Sequence, residues 1–282
     1  MGKKDKKHKG TKRGRGGRSL SKKADKYDLY QRAVNSPEAD IWLIKRVFRN
    51  HYGRRPHLLR EDFCGTALLA CDWAKDHEDN RAFGIDLDPE PLEWGRRHNM
   101  ASLTPEQAAR VKLIEGNVMD IGHEEVDATV AFNFSYFLFE TRPELRSYFE
   151  RARASLRSEG LLYLDMYGGA DAQRTSEEVR EIDDDFDYVW DQHSFDPIHQ
   201  RCMNYIHFDF PDGSRMRRAF SYGWRLWSIP EIRELLIEAG FSDTEIYWEG
   251  TDKKTGEGND VYTKREKADD DPAWVAYVVG VK

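Results

Sequence analysis

The sequence predicts an α/β fold: one doubly wound, mostly parallel sheet of seven strands with a β-rich insertion. Three observations predict it. Strand-type and helix-type runs alternate from His57 to Gly168, each strand is followed by a helix long enough for a crossover, and the rhythm breaks only between about residues 170 and 222.

The elements follow in order. YDLYQRAVNSPEADIWLIKRVFRNHYG, from Tyr27, reads as one or two amphipathic helices, with Ile41, Ile44, Val47 and Phe48 at helical spacing and Ser36-Pro37 as a helix start. HLLRED is a strand and TALLACDWAKDH a helix; RAFGIDL is a strand and PEPLEWGRRHN a helix; VKLIEGNV is a strand. VDATVAFNF is a strand, RPELRSYFERARASLR a helix and GLLYLDMYG a strand. In the insertion, an acidic stretch precedes two β-type runs, RCMNYIHFDF and SRMRRAFSYGW, joined at Pro211-Asp212-Gly213, a hairpin signal. Asp183 to Asp187 reads as a solvated loop. IPEIRELLIEAGF is then a helix ended by Gly240, and DTEIYWEG and WVAYVVGVK are strands.

The chain has 282 residues, 39% of them hydrophobic and 12% aromatic, enough for one large core over 24–282. Residues 1–23 lack hydrophobic periodicity and hold about eleven Lys/Arg against Asp5, so they read as a disordered basic tail. With a net charge of -7 overall, the remainder carries about -17, which repels phosphate backbones and leaves any weak nucleic-acid binding to the tail or to a local groove. No apolar run approaches the roughly 20 residues a bilayer requires, so no membrane partner is expected. Cys64, Cys71 and Cys202 form no close pair and leave an odd thiol; a reducing, cytoplasmic location is the expectation.

An open parallel sheet binds ligands beyond the carboxyl ends of its strands. The first strand ends in Glu61-Asp62-Phe63-Cys64-Gly65-Thr66-Ala67, where Gly65 allows a tight turn beneath a ligand. Phe63 and Leu68 occupy the first and third glycine places of a dinucleotide fingerprint, and Glu61 would face a diphosphate. A sulfonium cofactor with an ammonium group suits that carboxylate. Asp86 ends the second strand about 20 residues past the turn, the spacing of an acid that accepts from ribose hydroxyls, with Leu87 beside it. Asp88, directly before Pro89, reads as a helix N-cap. Asn117 accepting from an adenine amine and the Val118 amide meeting a ring nitrogen would complete the base site, and Asn133 ends the fourth strand among aromatics. His193, His199 and His207 lack metal-like spacing, so no metal is expected.

On these residues the chain resembles the class I, Rossmann-like, S-adenosylmethionine-dependent methyltransferases over about residues 27–282. Cys64-Gly65-Thr66 resembles the centre of that family's glycine-rich motif, Asp86 its ribose acid, Asn117 its adenine-side acid, and Trp224 to Phe241 its late helix. The sequence departs at Phe63 and Ala67, where the family has glycines, at Asn117, where Asp is commoner, and at Arg60, in a normally apolar strand.

The resemblance implies in-line displacement of the sulfonium methyl by a substrate nucleophile, with alignment and water exclusion as the protein's main contribution. Tyr136, Tyr167 and His193 are the candidates for a base, and Tyr30, Tyr136, Tyr167, Trp224 and Arg225 for the substrate mouth. A small-molecule acceptor is the first expectation. The alternatives are an RNA or ribosome-associated methyltransferase, favoured by the Arg/Gly tail, and a catalytically silent S-adenosylmethionine-binding protein.

Overall fold

The computed structural model describes residues 19–120, 125–251 and 258–282. The helices are α1 (Leu20–Lys23), α2 (Lys26–Val34), α3 (Pro37–Tyr52), α4 (Leu68–Asp76), α5 (Pro89–Arg97), α6 (Pro105–Ala108), α7 (Arg142–Ser155) and α8 (Ile229–Glu238). The strands are β1 (Leu58–Asp62), β2 (Arg81–Asp86), β3 (Val111–Glu115), β4 (Val126–Ala131), β5 (Leu156–Gly168), β6 (Ser176–Ile182), β7 (Phe186–Asp196), β8 (Arg201–Asp209), β9 (Arg215–Arg225), β10 (Asp243–Thr251), β11 (Gly258–Lys264) and β12 (Trp274–Val281).

The main sheet runs in the order β11-β10-β12-β5-β4-β1-β2-β3. From β5 to β3 every pairing is parallel, whereas β12 enters antiparallel between β5 and β10 and β11 closes the edge antiparallel. Strands covered on both faces read as continuous apolar runs, as LLYLDMY in β5 does. Its alternation sends Leu161 and Tyr163 to a core shared with α3 and α4, and Leu162, Leu164 and Met166 to a core shared with α7 and α8.

Helix boundaries follow their caps. The Asp88 side chain accepts from the Glu90 N–H with Pro89 at the first helical position, as expected for α5. Thr141 with Glu144 and Ser228 with Glu231 form capping boxes at α7 and α8, and Gly240, at φ 96°, ends the latter turn.

Three differences from the sequence reading stand out. The main sheet has eight strands rather than seven, because Gly258–Lys264, polar and without apolar alternation, pairs as an edge strand with β10. The acidic stretch is itself a hairpin, β6 with β7, turning at Asp183 and Asp184, so the insertion is a four-stranded antiparallel sheet β6-β7-β8-β9. Third, the end of the expected tail is structured: Leu20–Lys23 is a helical turn, with the Leu20 and Ser21 amides donating to Asp212 and Ser214. The rest of the tail, residues 1–18, lies outside the described residues.

Among the described residues no helix is long and apolar enough to cross a membrane.

Candidate active site

The turn after β1 is built on left-handed backbone. Phe63, Gly65 and Ala67 have φ of 59°, 52° and 55°. The two positions where glycines are replaced therefore keep a glycine-like conformation, at a cost of about 1–2 kcal/mol for each side-chain-bearing residue. The Gly65 N–H donates to Asp86 Oδ2 at 2.7 Å, and the Asp88 N–H donates to Asp86 Oδ1 at 2.9 Å. Turn and acid are one unit. Helix α5 packs against it so closely that a Cβ on Gly95 would stand 2.3 Å from the Thr66 carbonyl oxygen.

Three carboxyls gather behind this turn. Glu61 Oε2 accepts the Ala70 N–H at 2.9 Å, anchoring the start of α4. Burial pushes its carboxyl up to about 8, with Asp40, Asp86 and Asp62 adding to the rise. Asp40, on α3, accepts the Tyr277 hydroxyl through Oδ1 at 3.0 Å, and burial holds it at about 7. Asp165, on β5, is likewise pushed up to about 7 by burial and by the nearby Asp40. Its two oxygens accept the Asn133 and Phe134 amides at 2.7 and 2.9 Å, fixing two residues with φ of 57° and 58° at the end of β4.

On the far side of Asp86, Leu87 presents an apolar side chain, 68% exposed. Asn117 is exposed and its Oδ1 accepts the Met119 N–H at 2.9 Å, while Val118 is buried. Arg60, foreign to an apolar strand by sequence, is enclosed between Asp62 and the Val118 carbonyl.

Beyond Asn133 lies a cavity of about 640 Å³ between the main sheet and the antiparallel sheet. Tyr30, Tyr167 and Trp224, three of the expected substrate residues, line it, together with Asp40, Asp165 and the aromatics Phe134, Tyr188, Trp190 and Tyr222. Helix α2 borders it and is tied to both sheets. Gln31 Nε2 donates to Thr66 Oγ1 at 2.6 Å, Trp94 Nε1 donates to Asp25 at 2.6 Å, and Arg32 pairs with Asp185 at 2.8 Å.

Three expected residues are not among those that line the cavity. Tyr136 is 0% exposed, turned into a cluster with Phe137 and Phe149, and burial raises its hydroxyl far above the usual tyrosine range, which unsuits it as a base. His193 lies on the opposite face of β7 from Gln192, which lines the cavity; it sits 3.7 Å from Asp191 and edge-on to Tyr205. Arg225 donates to the Glu140 carbonyl and to Glu231 and stacks on Trp227, so it braces the start of α8.

His207 belongs to a group with Glu177 and Asp191 that could surround a metal ion. Its Nδ1 accepts the Arg218 N–H at 2.7 Å, so Nε2 carries the proton toward Asp191 and no lone pair remains for an ion.

Asp40 and Asp165 escaped the sequence reading for different reasons. Asp40 stands in the first turn of a helix, where acids are common for the helix dipole alone. Asp165 did carry a signal, as the one acid in the apolar run LLYLDMYG at a strand end.

Residues 62–164 match the family model described as a methyltransferase domain. The chain carries a methyltransferase domain. Its fold is the Rossmann-like one of S-adenosylmethionine-dependent methyltransferases. No curated protein sequence matches the chain. Solved structures similar to the methyltransferase include CcbJ from Streptomyces caelestis, at 17% identity and a TM-score of 0.65, covering 90% of this chain and 94% of that one. CalS10, an amino pentose methyltransferase from Micromonospora echinaspora, is 14% identical with a TM-score of 0.63, over 91% of this chain and 96% of that one. The sugar N-methyltransferase KedS8 from Streptoalloteichus is 17% identical with a TM-score of 0.61, over 98% of both chains. At these identities the likeness is one of fold.

The residues present fit the cofactor. S-adenosylmethionine carries a sulfonium and an ammonium, and Glu61, Asp40 and Asp165 are carboxyls whose affinity for protons is raised chiefly by burial, so a cation arriving beside them would be paired.

Proposed function

We propose that the methyltransferase methylates an amine of a small molecule held in the 640 Å³ cavity. The observation that carries this reading is Asp40, a carboxyl at about 7 facing a cavity walled by aromatic rings. The volume is that of a small-molecule site. Rings flanking a carboxyl suit a protonated amine, through cation–π and charge-assisted contacts. Two of the proteins of like fold are an amino pentose methyltransferase and a sugar N-methyltransferase.

In this reading Asp86 and Gly65 hold the ribose, Leu87, Asn117 and Val118 border the adenine, and Glu61 and Asn133 flank the methionine end. The cofactor supplies an electrophilic methyl group. An ammonium has no lone pair to attack it, so the amine must first lose a proton. Tyr277 fixes Asp40 through Oδ1, and among the described residues Oδ2 has no partner, which leaves it to take that proton. Tyr30, Tyr167 and Trp224 hold the acceptor's body and exclude water.

The test is a labelled-methyl transfer screen against amine-bearing metabolites, total RNA and protein in parallel. Label in the amine fraction is expected. Asp40→Asn should lower kcat by about 10²–10⁴-fold, the span of a general base, while adenosylhomocysteine, which lacks the sulfonium, still binds. Label appearing only in RNA would replace the small-molecule reading.

A further inference from the structure

We propose that Arg60 is a positioning residue that fixes the adenine-side loop and through it the enzyme's preference for the adenine base; this rests on the cofactor placement above. In β1 the period of two sends Leu59 and Glu61 toward α3 and α4, and Arg60 and Asp62 toward α7. There the Arg60 side chain is almost wholly enclosed, at 4% exposure for the residue. Nε donates to Asp62 Oδ1 at 2.6 Å, Nη2 donates to the Val118 carbonyl at 3.0 Å, and the Tyr148 hydroxyl donates to Asp62 Oδ2 at 2.9 Å.

Strands β1 and β3 are not neighbours, since β2 lies between them. Arg60 stands opposite Phe83, short of the end of β2, so its side chain reaches across the face of β2 to grip the loop that follows β3. It grips one particular peptide. The carbonyl belongs to the Val118–Met119 unit, whose N–H donates to Asn117 Oδ1 at 2.9 Å. That plane is held at both edges, by Arg60 and by Asn117, which sets the direction of the preceding Asn117–Val118 peptide. The same two residues were expected to meet the adenine edge.

Stability alone does not account for the pair. An enclosed ion pair is often no more stabilising than apolar side chains of like volume, whereas it does impose a geometry. A guanidinium spanning two acceptors is also beyond a lysine, which offers a single point of charge.

The measurement is the ratio of affinities for S-adenosylhomocysteine and S-inosylhomocysteine, whose base carries an oxygen in place of the exocyclic amine. Wild type is expected to prefer the adenine compound. Arg60→Lys, which keeps the charge beside Asp62 but not the reach to Val118, should lower that ratio by about fivefold to tenfold, the weight of one oriented hydrogen bond. The double change Arg60→Met with Asp62→Leu removes both charges together and should lower the ratio as far in a protein that still melts cooperatively. Affinities that fall in parallel with the ratio unchanged, in either folded variant, would overturn the proposal. Wild type that binds neither compound would instead overturn the cofactor placement, and the proposal with it.

Discussion

Asp165 accepts the backbone N–H of Asn133 at 2.7 Å, so a carboxylate on β5 fastens the turn at the end of β4. Its other oxygen takes the Phe134 N–H, and both amides belong to residues in the left-handed region. The wall of the cavity beside the expected methyl donor thus depends on one side chain from the next strand.

Asp165→Asn should expose that dependence. An amide keeps one acceptor and turns its NH₂ toward the second backbone N–H, leaving a buried donor unpaired at a cost of about 1–3 kcal/mol. Urea unfolding is expected to show a loss in that range, with cofactor affinity lowered too. Unchanged stability would mean that the turn holds itself.

Ala67→Gly should stabilise the protein. Ala67 has φ 55° and is fully buried, and glycine relieves a left-handed strain of about 1–2 kcal/mol while giving back about 0.4–1 kcal/mol of unfolded-chain entropy. A net gain of about 0.5–1 kcal/mol is the expectation from denaturant curves. A loss would show that the Ala67 methyl packs better than it strains.

These two sites show what was legible in the sequence and what was not. The alternation of strands and helices was plain because both faces of the sheet are covered, which forces apolar runs such as LLYLDMY. Gly65 and Asp86 could be placed because a tight turn and a strand-end acid leave local signatures, and the bond between them supports the pairing. Phe63 and Ala67 read as departures, yet the backbone takes the left-handed conformation at both in spite of their side chains. Tyr136 and His193 do not line the cavity: Tyr136 falls in the helical turn after β4, whose direction into the core leaves no local signature, and His193 stands one step along β7 from Gln192, which does line it. Strand β11 went unread because an edge strand needs no apolar face.

Gly95→Ala should disturb the cofactor turn from outside. The added Cβ would meet the Thr66 carbonyl oxygen at 2.3 Å, and backbone on both sides must give way. Overpacking of this kind costs about 1–3 kcal/mol. Calorimetry with adenosylhomocysteine is expected to show weaker binding alongside a lowered melting temperature. Full affinity would show that α5 moves without the turn.

Asp86→Ala should weaken cofactor binding by about 1.5–3 kcal/mol, the usual loss for hydrogen bonds to a charged group. Because the same carboxylate holds the Gly65 and Asp88 amides, Asp86→Asn is the cleaner partner, retaining part of the turn. Equal affinity in both variants and wild type would remove Asp86 from the ribose site.

The last prediction concerns pH. Glu61 is pushed up to about 8 and Asp40 and Asp165 to about 7, in each case chiefly by burial. In the unfolded chain such carboxyls titrate at about 4. Between those limits the folded protein binds more protons than the unfolded one, so the stability these groups contribute is fully present below about pH 4 and is lost as pH rises through 7 to 8. The free protein should melt at a lower temperature at about pH 8 than at about pH 6. Cofactor binding runs the other way. S-adenosylmethionine adds a sulfonium beside carboxyls that pair with it only when ionised, so its affinity should rise over the same interval, by up to about tenfold per pH unit for each group that must lose a proton. Adenosylhomocysteine lacks the sulfonium but keeps the ammonium, so its affinity should rise less. Calorimetry of both ligands at about pH 6 and about pH 8 reads the difference directly: the ratio favouring S-adenosylmethionine should grow with pH and grow less in Asp40→Asn. A ratio that stays constant would mean that these three carboxyls do not face the sulfonium, and would take Asp40 away from the methyl-transfer site.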